Sequence, residues 1–246
     1  MNNSAWILIL GSNSDIAISV AKKYASNGFN LYLAARNIEN TRKTASDLII
    51  RYDIEVISLY FEANDYKSHV IFYDSLKIKP LGVVVSFGML GDQKRAQDNF
   101  SLAQEIINTN YLAIVSILEI IASNFEDLKK GFIIVISSVA GDRGRASNYI
   151  YGSSKAGLSA YLSGLTHRLH RSNVDVMTVK PGFVKTKMTE EMDLPNFLTA
   201  TPEEVSHLIF NSWKRKKNTL YVKPIWKYIM FVIKNIPNKI FYKTKL

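Results

Sequence analysis

The sequence contains no cysteine, so neither a disulfide framework nor thiolate chemistry is open to it. It has only four histidines, His69, His167, His170 and His207. His167 and His170 stand three apart on an expected helix with no third ligand in sight, so no metal site is expected. The opening Met1-Asn2-Asn3-Ser4 carries no basic segment and the apolar run behind it is short, which argues against a secretory leader. A cytoplasmic location is the expectation. The C-terminal stretch lacks the run of about 20 apolar residues that spans a bilayer; its longest uncharged apolar run is Tyr228–Ile233.

Acid is missing from that stretch altogether. From Lys214 to Leu246 there are ten Lys or Arg and no Asp or Glu, which leaves 21 basic residues against 21 acidic ones in the rest. The net charge of +10 therefore sits in the tail, and the body is neutral. Such asymmetry points to an anionic partner for the tail. No nucleic-acid recognition motif accompanies it, and nucleic acid is not expected as a partner.

What is present is an alternation of apolar strands and amphipathic helices in a chain of 246 residues, the length of one α/β domain. Residues 5–10 form a strand candidate. The turn Gly11-Ser12-Asn13-Ser14-Asp15-Ile16-Ala17 follows it, and then a helix to about Gly28. Strand, glycine-led turn and helix make a phosphate cradle, in which helix N–H groups face a pyrophosphate. Gly11 serves the tight turn. Asp15 puts a carboxylate near the phosphates, which is awkward unless it turns to cap the helix or to bond a neighbouring loop. The second strand, residues 30–35, ends without the acid that bonds the ribose hydroxyls of NAD, and Arg36-Asn37 follow. An Arg suits a 2′-phosphate, so NADP(H) is favoured over NAD(H).

The strand candidate 131–136 leads into Ser137-Ser138-Val139-Ala140-Gly141, and then into Tyr149-Ile150-Tyr151-Gly152-Ser153-Ser154-Lys155. Tyr151 and Lys155 are four apart and share one helix face. A fixed ammonium ion beside a phenol favours the phenolate and makes the Tyr usable as a general acid or base. Ser138 stands at the carboxyl end of its strand, where open α/β sheets bind ligands. Its hydroxyl can bond the oxygen that Tyr151 protonates.

This order of motifs resembles the short-chain dehydrogenase/reductase family over residues 5–222. The resemblance implies a Rossmann-type, doubly wound, parallel seven-stranded sheet with helices on both faces. Residues 223–246 are left as a basic amphipathic extension. It also implies that Ser138, Tyr151, Lys155 and Asn110 are catalytic, Asn110 through a carbonyl that holds a water near the Lys. The cofactor would touch Gly11, Ser12, Asn13, Asp15, Ile16, Arg36 and Asn37. Glu62 with Ala63 is the candidate for the adenine amino group, with Asp65 second. Gly88 remains where the family has Asn-Asn-Ala-Gly. In Pro181-Gly182-Phe183-Val184-Lys185-Thr186, the resemblance turns Pro181 and Gly182 over the nicotinamide. The Val184 backbone would bond its carboxamide, Thr186 would reach the amide or a phosphate, and residues 187–200 would form a lid. Asp15 and Ala17 depart from the family's Gly-x-x-x-Gly-x-Gly.

The Gly11–Ala17 turn, the Gly91-Asp92-Gln93 and Ala140-Gly141-Asp142-Arg143-Gly144-Arg145 loops and the basic aromatic tail narrow the resemblance to one branch, the decaprenylphosphoryl-2-keto-ribose reductases. It implies a lipid-linked keto-sugar substrate supplied by a flavin-dependent oxidase, and a homodimer or homotetramer. The tail's mix of Lys with Trp226, Tyr228 and Phe231 suits peripheral contact with the inner face of a membrane, or packing on a partner subunit. Arg143 and Arg145 are candidates for a substrate phosphate, or plain surface residues. The alternatives are a ketoreductase for a small or acyl-carrier-bound ketone and a non-catalytic NADP-binding sensor.

Overall fold

The computed structural model describes residues 5–190 and 193–244. In chain order the strands are β1 (Trp6–Leu10), β2 (Asn30–Ala35), β3 (Val56–Tyr60), β4 (Gly82–Val85), β5 (Gly131–Ile136), β6 (Val174–Lys180), β7 (Phe183–Val184), β8 (Thr199–Ala200) and β9 (Thr219–Tyr221). The helices are α1 (Asp15–Ala25), α2 (Ile38–Tyr52), α3 (Ser68–Asp74), α4 (Gln93–Asp98), α5 (Phe100–Ile107), α6 (Ala113–Leu128), α7 (Tyr149–Leu169), α8 (Pro202–Lys214), α9 (Ile225–Asn235) and α10 (Asn238–Phe241).

Seven strands form one parallel sheet in the order β3-β2-β1-β4-β5-β6-β9, as the family resemblance implies; β7 and β8 pair separately. Successive side chains alternate between its two faces. Leu8, Leu10, Val83, Val85, Ile133 and Val135 meet Ile114, Ile117 and Phe125 of α6 and Leu158, Leu162 and Leu169 of α7. Ile7, Ile9, Leu31, Leu33, Val84 and Ile134 meet α1, α2 and α8 on the other face. Because both faces are covered there, the central strands β1, β4 and β5 read as unbroken apolar runs, whereas β3 and β6 carry Ser58, Asp175 and Thr178. Strand order reverses between β1 and β4, and a crevice opens there at the carboxyl ends of the strands.

The helical run from Phe100 to Leu128 is interrupted. Asn108–Leu112 forms a π-turn, with the Ala113 amide bonded to the Asn108 carbonyl five residues back. The whole stretch, Phe100–Leu128, is long and apolar enough to cross a membrane. Its inward side is nonetheless used by the core, where Ile114, Ile117, Leu118, Ile121 and Phe125 are fully buried.

The C-terminal extension packs on the body. Trp226, Met230 and Ile233 recur at helical spacing on α9 and are buried against Val139, Phe183, Leu198 and Tyr221. Residues 191 and 192 of the expected lid, and 245 and 246 of the tail, lie outside the described residues.

Candidate active site

The turn after β1 is fixed by its backbone. The Gly11 and Ser12 amides both donate to the Ala34 carbonyl, at 2.9 and 3.2 Å. Gly11 has φ +78°, and a Cβ there would come within 2.6 Å of the Phe87 nitrogen, so only glycine fits. Ser14 caps α1 by accepting from the Ala17 amide, and its hydroxyl bonds Ser86 Oγ at 2.8 Å, tying the first turn to the loop after β4. That capping role is legible from a Ser three residues ahead of a helical run; its link to Ser86 is not. Asp15 turns away from the phosphate position, and its Oδ2 accepts from the Lys187 amide at 2.8 Å. The awkward carboxylate thus bonds the backbone at Lys187, where the expected lid begins.

A groove runs along the carboxyl ends of the strands. One cavity of about 300 Å³ is lined by Asn13, Asp15, Ile16, Gly88, Asn110, Ser138, Tyr151, Lys155, Pro181, Gly182, Val184 and Thr186. A second, of about 380 Å³, is lined by Gly11, Arg36, Asn37, Glu62 and Ala63. Asn13, Ser14, Phe87, Gly88 and Met89 border both, so the two are halves of one channel. The expected residues come together there, with Ser12 and Asp65 as the exceptions. Ser12 is 1 % exposed and its hydroxyl faces Thr41 Oγ1, so its side chain belongs to the α2 packing and lines neither cavity. Asp65 also stays outside the groove. Its carbonyl accepts from the Ser68 amide and hydroxyl ahead of α3.

At the outer end, Arg36 is 75 % exposed along its side chain, with Nε 4.0 Å from Glu62 Oε2. Asn37 caps α2, accepting from the Asn40 amide, while its carbonyl takes a bond from Asn13 Nδ2. Glu62 Oε1 accepts from the Asn64 amide.

At the inner end, α7 carries Tyr151 and Lys155 into the cavity wall. Lys155 is 3 % exposed. Its Nζ donates to the Ile136 carbonyl at 3.1 Å and lies 5.8 Å from the centre of the Tyr151 ring. Burial pulls Lys155 down to about 8. Tyr151 differs from the expectation. Burial raises its pKa, and a hydrogen bond from the Ser138 hydroxyl opposes that, while Lys155 is not the cause of any lowering. With no direct Tyr–Lys hydrogen bond, desolvation outweighs the neighbouring cation. Tyr151 is therefore a protonated phenol at neutral pH, the form that donates a proton. Ser138 also accepts from the Ala140 amide at 3.1 Å, which fixes the turn behind it. Its neighbour Ser137 is buried and bonded to the Lys155 carbonyl and to Ser159.

Asn110 is fully buried, and both ends of its amide are used. It accepts from the Met89 amide at 2.9 Å and donates to the Met89 carbonyl at 2.7 Å. A Cβ on Gly88 would come within 2.7 Å of Asn110 Oδ1, which explains the survival of that glycine. The side chain clamps the loop while the π-turn presents Asn110 at the cavity wall.

Two further placements differ from or add to the sequence reading. Arg143 is not free to meet a substrate phosphate. Its guanidinium donates to the carbonyls of Ile233, Lys234 and Ile236 and to Asn238 Oδ1, and it stacks on Phe241. A residue ninety positions away in sequence thus closes the C-terminal end of α9. Thr189, which carried no sequence signal, holds the segment after β7 by donating to the Val184 carbonyl at 2.6 Å and accepting from the Thr186 amide.

The groove's shape, its glycines Gly11, Gly88 and Gly182 and its cationic ends fit an extended dinucleotide. The model of short chain dehydrogenases matches residues 5–195. An uncharacterised oxidoreductase of Mycobacterium tuberculosis is 39 % identical over 206 residues, 82 % of each chain. An NADP-dependent 3-hydroxy acid dehydrogenase of Schizosaccharomyces pombe is 27 % identical, covering 87 % of this chain and 88 % of its own length. Among solved structures, a short-chain dehydrogenase from Sphingobium yanoikuyae in complex with NADPH superposes with a TM-score of 0.82, at 20 % identity over 95 % of this chain and 97 % of the other.

Proposed function

The chain belongs to the short-chain dehydrogenase family and is an oxidoreductase using a nicotinamide cofactor; from that premise we propose that it reduces a ketone with NADPH. The observation that carries the reading is the meeting of Ser138, Tyr151 and Lys155 on one cavity, at the inner end of a groove whose outer end is Arg36. Bound nicotinamide would supply hydride to the carbonyl carbon. Ser138 would orient the carbonyl oxygen, and Tyr151, kept protonated by burial, would donate to it. Lys155 carries three donors and spends one on the Ile136 carbonyl. The remaining N–H groups would hold a cofactor ribose and return a proton to Tyr151. Asn110 holds the Gly88-Met89 loop against the same space. An exposed Arg36 with no acid at the end of β2 favours a 2′-phosphate, hence NADPH.

For the substrate we propose the 2-keto sugar of a polyprenyl-phosphate-linked pentose in cell-envelope polysaccharide synthesis, formed by a flavin-dependent oxidase. Support comes from the loop sequences that resemble that branch and from the basic, apolar extension packed beside the site. A second reading, a ketone on a small or acyl-carrier-bound molecule, is favoured by the apolar side chains of Phe87, Met89 and Met188 on the cavity and by the name of the Schizosaccharomyces pombe relative. The test is NADPH consumption with a polyprenyl-phosphate 2-keto-pentose, with Tyr151→Phe as control. Turnover by the wild type and a loss of roughly 10²–10⁴-fold in the variant is the expected result. Turnover of small ketones alone moves the assignment to the second reading, and near-normal turnover by Tyr151→Phe sinks the proton-donor role.

A further inference from the structure

Helix α9 has two faces, and the packing of the body uses only one. Trp226, Met230 and Ile233 point inward. The outward face carries Tyr228, Phe231 and Val232, which are 69 %, 68 % and 60 % exposed. Beyond Pro237, Ile240 and Tyr242 are also exposed, at 58 % and 76 %. Lys227, Lys234, Lys239 and Lys243 are interspersed and exposed. A surface helix of a soluble domain ordinarily turns polar residues outward. Large exposed apolar side chains gathered on one helix face, as Tyr228, Phe231 and Val232 are by their spacing, mark a contact surface.

Charge decides between the occupants. A two-fold contact between copies sets a patch against itself. Here it would press lysines on lysines with no acid from Lys214 to Leu246 to relieve them. Mixed Lys, Tyr and Phe on a helix that stays in the plane of a surface fits an anionic bilayer, whose headgroups take the ammonium ions while the rings enter the acyl boundary.

Position adds a second argument. β9 is parallel to β5 and β6, so α9, which follows it, lies at the same rim of the sheet as Ser138 and Pro181. Its inner face touches Val139 and Phe183, the neighbours of those two loops. Arg143, from the loop after Ser138, closes its far end. We propose that the outward face of α9 and α10 is a docking surface for an anionic lipid bilayer, which holds the mouth of the active site at the membrane. Docking does not depend on which ketone is reduced.

The test is cosedimentation of the full chain with vesicles of phosphatidylcholine alone and of an equimolar mixture with phosphatidylglycerol. Binding to the anionic vesicles should be at least ~10-fold tighter and should fall away at about 1 M salt, where the Debye length is about 3 Å. Tyr228→Glu with Phe231→Glu should weaken it at least ~10-fold while the thermal unfolding midpoint stays unchanged, because both side chains are solvent-facing. Equal binding to both vesicle types, or none, overturns the proposal. So does a concentration-dependent dimer in sedimentation that the same double variant dissociates, since a second copy would then be the occupant.

Discussion

Lys180 and Asp142 form a buried ion pair, Nζ to Oδ1 2.6 Å, with side chains 14 % and 3 % exposed. The other carboxylate oxygen accepts from the Tyr221 hydroxyl at 2.7 Å. Asp142 ends the short turn Val139–Gly141 behind Ser138, while Lys180 ends β6 and Tyr221 ends β9. Three segments of the site end of the sheet are thus held by one carboxylate. Removing it strands an ammonium ion in a poorly hydrated place, which costs more than the intact pair contributes. Asp142→Ala should lose about 3–5 kcal/mol in denaturant unfolding. Adding Lys180→Met should recover most of it; a double variant as unstable as the single one would show that the charge is not the cause.

Lys155 carries a conflict between stability and activity. Its pKa falls to about 8 in the folded chain, from an ordinary 10.5. Below pH 8 both states are protonated, and the folded state bears the full cost of a buried charge. Between about 8 and 10.5 the unfolded chain binds more protons, so this group's contribution to stability rises with pH there. Lys155→Met should accordingly raise stability at neutral pH by roughly 1–3 kcal/mol, read as a higher thermal midpoint, while reductase turnover is lost. In the wild type, turnover should decline as pH rises through about 8, where Lys155 loses its charge. A thermal midpoint that falls in Lys155→Met would show that its bond to the Ile136 carbonyl outweighs the desolvation.

Arg36 tests the cofactor preference. Its only ionic partner among the described residues is Glu62 at 4.0 Å, in an exposed setting where such a pair contributes little. A 2′-phosphate would gain charge-assisted bonds that a hydroxyl cannot match. Arg36→Ala should raise the KM for NADPH roughly 10- to 100-fold, equivalent to about 1.5–3 kcal/mol, and leave that for NADH nearly unchanged. An equal loss for both cofactors would assign Arg36 to the ribose or adenine and not to the phosphate.

The sheet is legible because its central strands β1, β4 and β5 are continuous apolar runs, and Tyr151, Lys155, Gly11 and Gly88 are legible because they are short-range patterns tied to turns and helix faces. What stayed hidden is long-range. Nothing local marks Arg143 as the closure of α9, or Asp142 as the partner of both Lys180 and Tyr221, since those contacts exist only once distant segments meet. Ser12 looked like a cofactor residue by position, but the twist of the turn gives its side chain to Thr41. The direction of the Tyr151 shift is hidden from the sequence for a related reason. Spacing reveals the neighbouring cation, whereas the depth of burial that outweighs it belongs to the tertiary packing.

Gly182 and Trp226 give the sharpest packing test. A Cβ on Gly182 would run into the Trp226 indole, so the loop after β6 and the first turn of α9 are in direct contact at a position that holds no side chain. The indole is not free to yield. Its Nε1 donates to the Leu198 carbonyl at 3.0 Å, and Phe183 packs edge-on against it with ring centres 5.2 Å apart. Gly182→Ala should therefore cost roughly 1–3 kcal/mol as an overpacking change. It should also shift the tryptophan emission, as Trp226 leaves its buried seat. Because Pro181, Gly182 and Val184 line the cavity, the same displacement should raise the cofactor KM more than it lowers kcat. In a Trp226→Ala background the added methyl group meets no ring, and the two changes should be strongly non-additive. If Gly182→Ala costs as much there as in the wild type, the glycine is required by its own loop and not by the approach of α9.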